Sequence, residues 1–245
     1  MTKDTYTTFA ERYDWMKEEN PAWKKFFQEL FAEHGVSTVL DCACGTARDL
    51  ITLHTMGFQV FGSDISEPML AQARKNVSEA KLDIPLQKGD YRELPELCDT
   101  QFDAVVCLAN SINAPLEDEE TLKALRSMRA VLRDGGILVF SQGQSDASMR
   151  NPPRFVPVVN NRDVTRFFDI EYSEHVETVH IFDFIHTEDV TDYKHECARF
   201  RIRLQDSWIQ MLKESGFAQM EFFGDWDASP YNKESSRRLI GVATK

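Results

Sequence analysis

Short apolar runs alternate with amphipathic stretches over the first part of the chain. The amphipathic stretches predict helices, because their apolar residues recur every three or four positions. The run FDAVVCL is apolar almost throughout, which is typical of a strand buried on both faces. Strands that alternate with helices predict an α/β fold, a mostly parallel sheet with helices on both faces. In chain order, the predicted strands are 38–41, 59–63, 86–88, 102–108 and 137–141, and the predicted helices are 47–56, 66–80 and 117–133.

The pattern changes in the second half of the chain. Between residues 155 and 203, β-branched and aromatic residues alternate with polar ones, as in VETVHIFDFIH, which predicts antiparallel strands. A helix at 206–215 and a pair of strands at 217–224 and 238–243 follow. At the other end of the chain, Pro21 suits the start of a helix that precedes the first strand.

We therefore expect three parts in a chain whose 245 residues suit one domain with an insertion. An N-terminal helical cap covers residues 1–35. The α/β domain takes residues 36–150 and 204–245. A β-rich insertion, residues 151–203, is expected to lie as a lid over the carboxyl edge of the parallel sheet.

Composition and charge narrow the range of partners. The net charge is −12, without the basic stripe that nucleic-acid binders place against phosphates, so DNA or RNA is disfavoured as a partner. No apolar run approaches the ~20 residues of a membrane span, and the N-terminus lacks a signal-peptide pattern. The five cysteines form no C-x-x-C motif, so they suggest neither a disulfide framework nor zinc. We expect a cytoplasmic protein without a membrane partner.

Small residues and carboxylates follow the first two predicted strands. Strand one runs into the turn DCACGTA, in which Ala43 and Gly45 let a ligand approach the backbone closely. Asp64 ends strand two, 64 − 45 = 19 residues after Gly45, about where an acidic side chain accepts hydrogen bonds from ribose hydroxyls. Together with Asp41, these residues predict a nucleotide-like pocket at the carboxyl edge of the sheet.

The spacing of the small residues argues against a dinucleotide. A pyrophosphate loop needs G-x-G-x-x-G, but here Ala43 takes the first position, Gly45 the second and Arg48 the third. A G-x-x-x-x-G-K-[ST] phosphate loop is absent from the sequence. The predicted ligand therefore has a ribose and no phosphate, which fits S-adenosylmethionine. A tight turn without any ligand is the alternative interpretation.

Several segments carry a resemblance to a known family. VLDCACGTARDL, FQVFGSDISEPMLAQARKN, LQKGDYRELP and FDAVVCLANSINAP resemble the motifs of class I S-adenosylmethionine-dependent methyltransferases, in order and spacing, over roughly residues 36–145. The ACGT turn and the CLANS stretch are similar to those of glycine and sugar-amine N-methyltransferases. The two ends of the chain look like bacterial stand-alone methyltransferases. The resemblance implies a Rossmann-like, mostly parallel seven-stranded sheet with a β-rich lid.

The resemblance also implies a set of cofactor contacts. Ala43 and Gly45 would lie against the methionine part, and Asp64 would hold the ribose. Leu108 would pack near the sulfonium, and Tyr13 would reach over the cofactor. Core packing of Leu108 and surface packing of Tyr13 are the alternatives.

The adenine would be held by residues after strands two and three. Ile65 and Met69 would lie against the ring, Asp90 would accept from its amino group, and Tyr91 would flank it. Ordinary core packing of Met69 and a turn-forming role for Asp90 are the alternatives.

Asn110 and Ser111 are the predicted catalytic residues. In glycine N-methyltransferases the matching stretch lies between donor and acceptor, which implies the same role here against simple loop capping. Those enzymes also carry an arginine just after strand five, whereas this chain reads FSQGQ, which argues against glycine itself. Other candidates for the acceptor's charge or hydroxyl are Arg154, Arg199, Arg201 and Tyr231.

We therefore predict an enzyme that moves a methyl group from S-adenosylmethionine to a nitrogen, or to an oxygen, of a small molecule. An amine acceptor mainly has to be neutral, so neither a catalytic triad nor a metal is required. The histidines of the insertion lack metal-ligand spacing, and no metal is predicted. Alternatives are an RNA- or protein-directed methyltransferase, a non-catalytic S-adenosylmethionine-binding regulator and, more distantly, an NAD-dependent oxidoreductase. A homodimer is left open.

Overall fold

A computed structural model describes residues 8–16, 20–186 and 191–245 of the chain. Within these ranges, the strands form one seven-stranded sheet and one four-stranded sheet. In chain order, the strands are β1 (Thr38–Asp41), β2 (Gln59–Asp64), β3 (Leu86–Lys88), β4 (Phe102–Cys107), β5 (Leu132–Gln142), β6 (Phe155–Asn160), β7 (Val164–Tyr172), β8 (Val176–His186), β9 (Thr191–Arg201), β10 (Gln219–Phe223) and β11 (Leu239–Thr244).

The seven-stranded sheet has the order β3-β2-β1-β4-β5-β11-β10. The pairs among β1 to β5 are parallel, and β11 runs antiparallel to both β5 and β10. This confirms the predicted mostly parallel sheet of seven strands. The order reverses direction at β1, where the chain steps first to β2 and β3 and then back to β4. Ligands bind at such a switch point, outside the carboxyl ends of the strands.

Helices cover both faces of this sheet, as their hydrophobic periodicity predicts. Helices α2 to α4 pack on one face through a cluster that includes Phe27, Leu50 and Leu70. Helices α6 and α7 pack on the other face, where Leu125 and Trp208 are fully buried. The helix bounds are α1 (Ala10–Tyr13), α2 (Pro21–Glu33), α3 (Arg48–Thr55), α4 (Glu67–Glu79), α5 (Leu94–Leu97), α6 (Asp118–Val131) and α7 (Gln205–Glu214).

One predicted boundary is wrong. The sequence predicts a helix to residue 133, a Gly-Gly turn and a strand from 137, but α6 ends at Val131 and β5 already begins at Leu132. Leu132 pairs with Phe102, and the next pair joins Ile137 to Ala104, so the residues between them bulge out of the ladder. Gly135, at φ +75°, supplies the left-handed turn of that bulge.

The insertion folds into the four-stranded antiparallel sheet β6-β7-β8-β9, which we call the lid sheet. Burial alternates along β8, so that one face of the strand is buried and the other is partly exposed. The buried face carries Glu177, Val179, Ile181 and Asp183. Antiparallel strands confirm the sequence pattern. The division of the chain at residues 35, 150 and 203 into three parts remains a prediction.

Two further predictions concern membranes and metals. In the described residues, no helix is long and apolar enough to cross a bilayer. Also within those ranges, no three histidine, cysteine or carboxylate side chains come together as a metal site would require. Two insertion histidines do meet, because His180 Nδ1 and His195 Nε2 lie 3.0 Å apart on neighbouring strands. Of the predicted N-terminal cap, residues 1–7 and 17–19 lie outside the described ranges.

Candidate active site

The turn after β1 brings Cys42, Ala43 and Gly45 to the edge of the sheet. The Cys44 amide donates to the Ser63 carbonyl at 3.0 Å, which ties the turn to β2. Gly45 has φ +53°, and a Cβ on it would lie 3.1 Å from Met69 Cε. Ala47 follows at φ +63° and begins α3. A residue with a side chain at position 45 would be strained and would crowd Met69, so glycine fits the close approach that the sequence predicts.

Asp64 is held by two backbone hydrogen bonds. Its Oδ2 accepts from the Gly45 amide at 2.8 Å, and its Oδ1 accepts from the Ser66 amide at 2.9 Å. Each carboxylate oxygen has two lone pairs and can accept more than one hydrogen bond. Two adjacent hydroxyl groups, as on a ribose, match this arrangement.

A cavity of about 240 Å³, which we call the first cavity, opens beside this turn and Asp64. Ile65 lines it and is 60% exposed, an apolar platform offered to a ligand. Phe200, from β9 of the lid sheet, reaches it from the opposite side. The predicted site residues that the structure brings together here are Tyr13, Ala43, Gly45, Asp64, Ile65, Met69, Asp90, Tyr91 and Ser111.

The first cavity has a negative field around Tyr13. Burial raises the pKa of Tyr13 above its usual range, and the charges of Asp49, Asp14, Asp64 and Asp41 raise it further. The phenol therefore stays protonated and neutral. A ring of carboxylates near one wall favours a ligand that carries a positive charge.

Asp90 is more constrained than its predicted role requires. Both of its oxygens accept from Arg92 Nε at 3.0 Å, and Oδ1 also accepts from the Arg92 amide at 2.9 Å. Burial alone would raise the pKa of Asp90, but these hydrogen bonds outweigh it and hold the pKa below its ordinary value. An adenine amino group would compete with Arg92 for the carboxylate. Tyr91 donates its hydroxyl to the Ser111 carbonyl at 3.0 Å, which joins this wall to the end of β4.

The chain leaves β4 through two consecutive left-handed residues, Ala109 at φ +54° and Asn110 at φ +70°. Ser141 of β5 holds both, since its hydroxyl accepts from the Ala109 amide and its carbonyl from the Asn110 amide. Asn110 Oδ1 accepts from the Gly143 amide at 2.7 Å, so the Asn110 side chain is fixed while its amide nitrogen is left to donate. Such non-glycine outliers cluster at functional sites.

Two predicted cofactor residues line neither of the cavities described here. Leu108 is 5% exposed and belongs to the core beneath the sheet, and the next residue, Ala109, faces the site in its place. Asp41 is 3% exposed and caps the turn by accepting from the Ala43 amide at 3.2 Å. The predicted contacts of both residues with the cofactor therefore remain predictions.

A second cavity, of about 420 Å³, lies between the end of β5 and the buried face of the lid sheet. It shares Tyr13, Ala109 and Phe200 with the first cavity, so the two spaces meet at these three residues. Asn110 lines the second cavity and Ser111 the first. Apolar side chains form most of its wall: Phe9, Met149, Val156, Phe168, Ile170, Val179 and Ile181.

Glu177 is the acidic residue of the second cavity and is 5% exposed. It accepts a hydrogen bond from Gln144 Nε2 and has no cationic partner among the described residues. Burial raises the pKa of Glu177 from 4.5 to about 7, although the Gln144 bond lowers it. Asp183, on the same face of β8, differs because Arg12 and Arg166 neutralise it at 2.8 and 2.5 Å.

Residues 8–16, which we call the roof segment, cover both cavities with Phe9 and Tyr13. Arg12 fastens the roof segment to the lid sheet through Asp183. Asp14 fastens it to the parallel-sheet domain, since it accepts from Thr46 Oγ1 at 2.7 Å and from Asn76 Nδ2 at 3.1 Å. The short helix is therefore held at both sides of the site.

Sequence reasoning predicted Asn110 but missed two charged residues of the second cavity, Glu177 and Arg237. The proposed acceptor residues lie elsewhere: Arg154 pairs with Asp169 at 3.0 Å, and Tyr231 donates to Asp146 at 2.7 Å. Glu177 and Arg237 line the cavity instead. The break in alternation at Glu177, an acid on the apolar side of VETVHIF, is the sequence signal that could have identified it. Neither Arg199 nor Arg201 lines either cavity.

Comparison with known proteins places this site in context. Residues 39–136 match the methyltransferase domain family, a range that runs from β1 into β5. YqeM of Bacillus subtilis (strain 168), whose name is that of a methyltransferase, is 30% identical over 98% of this chain and 97% of its own length. The glycine/sarcosine N-methyltransferase of Parasynechococcus marenigrum (strain WH8102) is 29% identical over 89% of this chain and 77% of its own.

Solved structures show the same fold. The S-adenosylmethionine-dependent methyltransferase from Clostridium acetobutylicum ATCC 824 superposes with a TM-score of 0.82. The alignment covers 98% of this chain and 99% of that one, at 18% identity. The likeness therefore includes the lid sheet as well as the parallel sheet.

Proposed function

This chain belongs to the class I S-adenosylmethionine-dependent methyltransferases, and from that premise we propose that it methylates a nitrogen of a small molecule. The observation that carries the proposal is the meeting of two cavities at Tyr13, Ala109 and Phe200. One cavity suits the methyl donor and the other suits an acceptor. Donor and acceptor would then lie side by side where the two cavities meet.

The residues of the first cavity fit S-adenosylmethionine. Asp64 presents two carboxylate oxygens, oriented by backbone amides, to a pair of ribose hydroxyls, and Gly45 leaves room for the methionine part. Exposed Ile65 offers an apolar surface to the adenine. The carboxylates around Tyr13 suit a sulfonium. When bound, S-adenosylmethionine supplies a methyl group on a positively charged sulfur that leaves as a neutral thioether.

The residues of the chain must position the two reactants and exclude water. Holding two reactants in line lowers the barrier by removing the entropy of their encounter, and exclusion of water prevents hydrolysis. Asn110 is fixed by Gly143 at the edge of the second cavity and has an amide N–H to orient an acceptor. The roof segment and the lid sheet close the space above. A neutral amine needs no further activation.

The identity of relatives favours nitrogen over oxygen as the acceptor atom, because the named glycine/sarcosine enzyme aligns over most of its length. An RNA- or protein-directed enzyme fits less well, since the second cavity is walled by the lid sheet and the net charge is −12. Retention of Asp64 and of the strained Asn110 also supports turnover over a merely regulatory role.

The test is transfer of tritiated methyl from S-adenosylmethionine. The purified protein is incubated with an extract of small metabolites and, separately, with total RNA and with denatured protein. We expect label in small molecules, bound through nitrogen as judged by the N-methyl chemical shift of the purified product in nuclear magnetic resonance. Label chiefly in RNA or protein would overturn the proposal. Calorimetry with S-adenosylhomocysteine and with NAD separately tests the donor site, and only the former is expected to bind.

A further inference from the structure

The second cavity carries one carboxylate and one guanidinium group, and neither forms an ion pair within the described residues. Glu177 lies deep in it, 5% exposed, with a single hydrogen bond from Gln144. Arg237 lines the same cavity from the segment before β11 and is exposed. Within the ranges the structure describes, Arg237 forms no ion pair, whereas its neighbour Arg238 pairs with Asp225 at 3.0 Å.

Burying a carboxylate without a cation is unfavourable, so proteins place a partner beside it. β8 itself shows the usual solution, because buried Asp183 has two arginines around it. Glu177 stands six positions earlier on the same face, and no described cation neutralises it. Its raised pKa reflects the cost of burying the charge. A cationic group of a ligand in the cavity would offset this cost.

The walls between these two side chains are apolar. Ile170, Val179 and Phe168 come from β7 and β8, and Met149 comes from the loop after β5. Such a cavity holds a ligand with a small apolar or ring-shaped body and fixes its orientation by a few polar contacts. A buried carboxylate and a rim guanidinium provide contacts of opposite charge.

We propose that the second cavity selects an amine that also carries an anionic group, a carboxylate or a phosphate, with Glu177 receiving the amine as its ammonium and Arg237 the anion. The Glu177 carboxylate takes up the proton that the ammonium loses, so that the neutral nitrogen attacks the methyl group. This deepens the proposed function and rests on it. Arg237 thereby supplies, from the far end of the chain, a cation that the FSQGQ stretch after β5 lacks. A guanidinium group can donate two parallel hydrogen bonds to either a carboxylate or a phosphate.

The first experiment works while the acceptor is still unidentified. A metabolite extract is labelled with tritiated methyl by the full chain, and the products pass over an anion exchanger under alkaline conditions, where amines are uncharged. The inference expects the label to be retained there and to bind a cation exchanger in acid. Label that flows through the anion exchanger would show an acceptor without an anion, which overturns this inference and leaves the proposed function intact.

The second experiment assigns the two side chains. Matched acceptors are compared: phenylalanine with phenethylamine, leucine with isopentylamine, and glucosamine phosphate with glucosamine. For the pair that the enzyme favours, Arg237→Gln should raise KM for the member with the anionic group by about ten- to a hundred-fold. It should leave KM for the member without the anionic group within about two-fold. Glu177→Gln should raise KM for both members by a similar factor, since both carry the amine.

Matched controls separate these effects from general damage to the lid sheet. Arg154→Gln and Glu171→Gln remove exposed charges from the lid sheet, 64% and 63% exposed, outside both cavities. Neither control should change KM, and all four variants should bind S-adenosylhomocysteine as the parent does. An equal loss on both members of a pair in Arg237→Gln, or no change in Glu177→Gln, would contradict the assignment. Methylation of RNA alone would overturn the proposed function as well.

Discussion

At the scale of single residues, the site is prepared by backbone hydrogen bonds. Asp64 receives one amide N–H on each oxygen, and Asn110 receives one from Gly143. Both side chains are thus oriented by the fold itself, which reduces the entropy lost on binding. The two side chains differ in chemistry, because the Asp64 carboxylate only accepts hydrogen bonds, whereas the Asn110 amide also has an N–H to donate.

Replacement of Asp64 by Ala should weaken binding of S-adenosylhomocysteine by about 1.5–3 kcal/mol, the range for hydrogen bonds to a charged group. Asp64→Asn should bind at least as weakly, because its NH₂ group would face the amide of either Gly45 or Ser66. Isothermal calorimetry measures both affinities. Asp83→Ala, an exposed acid outside the cavity, is the control and should bind normally. Normal affinity in Asp64→Ala would remove this residue from the site.

The buried carboxylate of Glu177, which we propose binds the acceptor, should destabilise the folded protein when it is ionised. Burial raises its pKa from 4.5 to about 7, so the unfolded chain loses the proton before the folded one as pH rises between these values. The parent protein should therefore lose about 3 kcal/mol of unfolding free energy over that window. The facing groups hold their charge there: burial raises the pKa of Tyr172 to about 12, the Arg237 guanidinium is always charged, and Gln144 and Phe200 do not titrate.

Glu177→Gln should consequently be more stable than the parent above pH 7, and the difference should disappear as the pH falls towards 4.5. Urea denaturation across this range, followed by circular dichroism, measures it. Glu171→Gln, exposed on the same sheet, should show no such pH dependence. If the parent and Glu177→Gln had the same free energy of unfolding at every pH, burial would not raise the pKa of this carboxyl group.

Sequence identified the residues of the first cavity better than those of the second, for a physical reason. Gly45, Asp64 and Asp90 follow strands of one parallel sheet, and the edge at which such strands end is common to all of them. Glu177 and Arg237 instead meet through the docking of the lid sheet onto the parallel sheet. That docking depends on tertiary contacts, which local periodicity does not encode.

At the scale of elements, a helix of four residues joins the two sheets. Helix α1 is too short to be stable alone. Arg12 and Asp14 fasten it to the lid sheet and to the parallel-sheet domain respectively. Arg166, fully buried, completes the first contact by donating to the Arg12 carbonyl at 3.0 Å and by lying over the Phe9 ring at 4.7 Å. The element exists because of these anchors.

Asp183→Asn should be strongly destabilising because it leaves the buried guanidinium group of Arg166 without a counter-charge and leaves Arg12 only Glu196, at 3.9 Å. Loss of one partner in a buried ion pair costs about 3–5 kcal/mol. The exposed pair Arg154–Asp169 supplies the matched control, and Asp169→Asn should cost less than about 1 kcal/mol. Chemical denaturation at neutral pH gives both values. Equal losses in the two variants would mean that the buried network does not hold the roof segment.

The elements themselves were predictable where periodicity is local. The strands at 38–41 and 86–88 have the predicted bounds, and Asn20 caps α2 beside Pro21 as the sequence indicates. The start of β5 was not predictable in this way, because the residues Asp134, Gly135 and Gly136 indicate a turn between a helix and a strand. Pairing of Leu132 with Phe102 extends the strand across that turn, and pairing is a property of the neighbouring strand.

At the scale of the whole molecule, the two sheets enclose one reaction space. The parallel sheet supplies the turn and Asp64, the lid sheet supplies Phe200 and Glu177, and the roof segment spans the gap. A ligand in the first cavity contacts the lid sheet only through Phe200. Its influence on the rest of the lid sheet therefore passes through Phe200 or through the contacts of the roof segment with Asp183 and Glu196.

Hydrogen–deuterium exchange can follow this coupling. S-adenosylhomocysteine should slow exchange in the roof segment, through Tyr13, and also in β7 and β8, which do not line the first cavity. In a variant with Arg12→Met, protection should persist around Asp64 but weaken in β7 and β8, because the direct bond to Asp183 is gone and only the contact of Arg166 with the backbone carbonyl of residue 12 remains. Protection of β7 and β8 that survives unchanged in Arg12→Met would show that the lid sheet responds by another route.

The double anchorage of the roof segment has a kinetic consequence. Tyr13 belongs to both cavities, so neither ligand can leave by that side until the segment lifts, and lifting must break contacts at Asp183 or at Thr46 and Asn76. Arg12, Asp14 and Asp183 line neither space. The dwell time of donor and acceptor together, and with it the commitment of each encounter to product, is then governed by side chains remote from the chemistry.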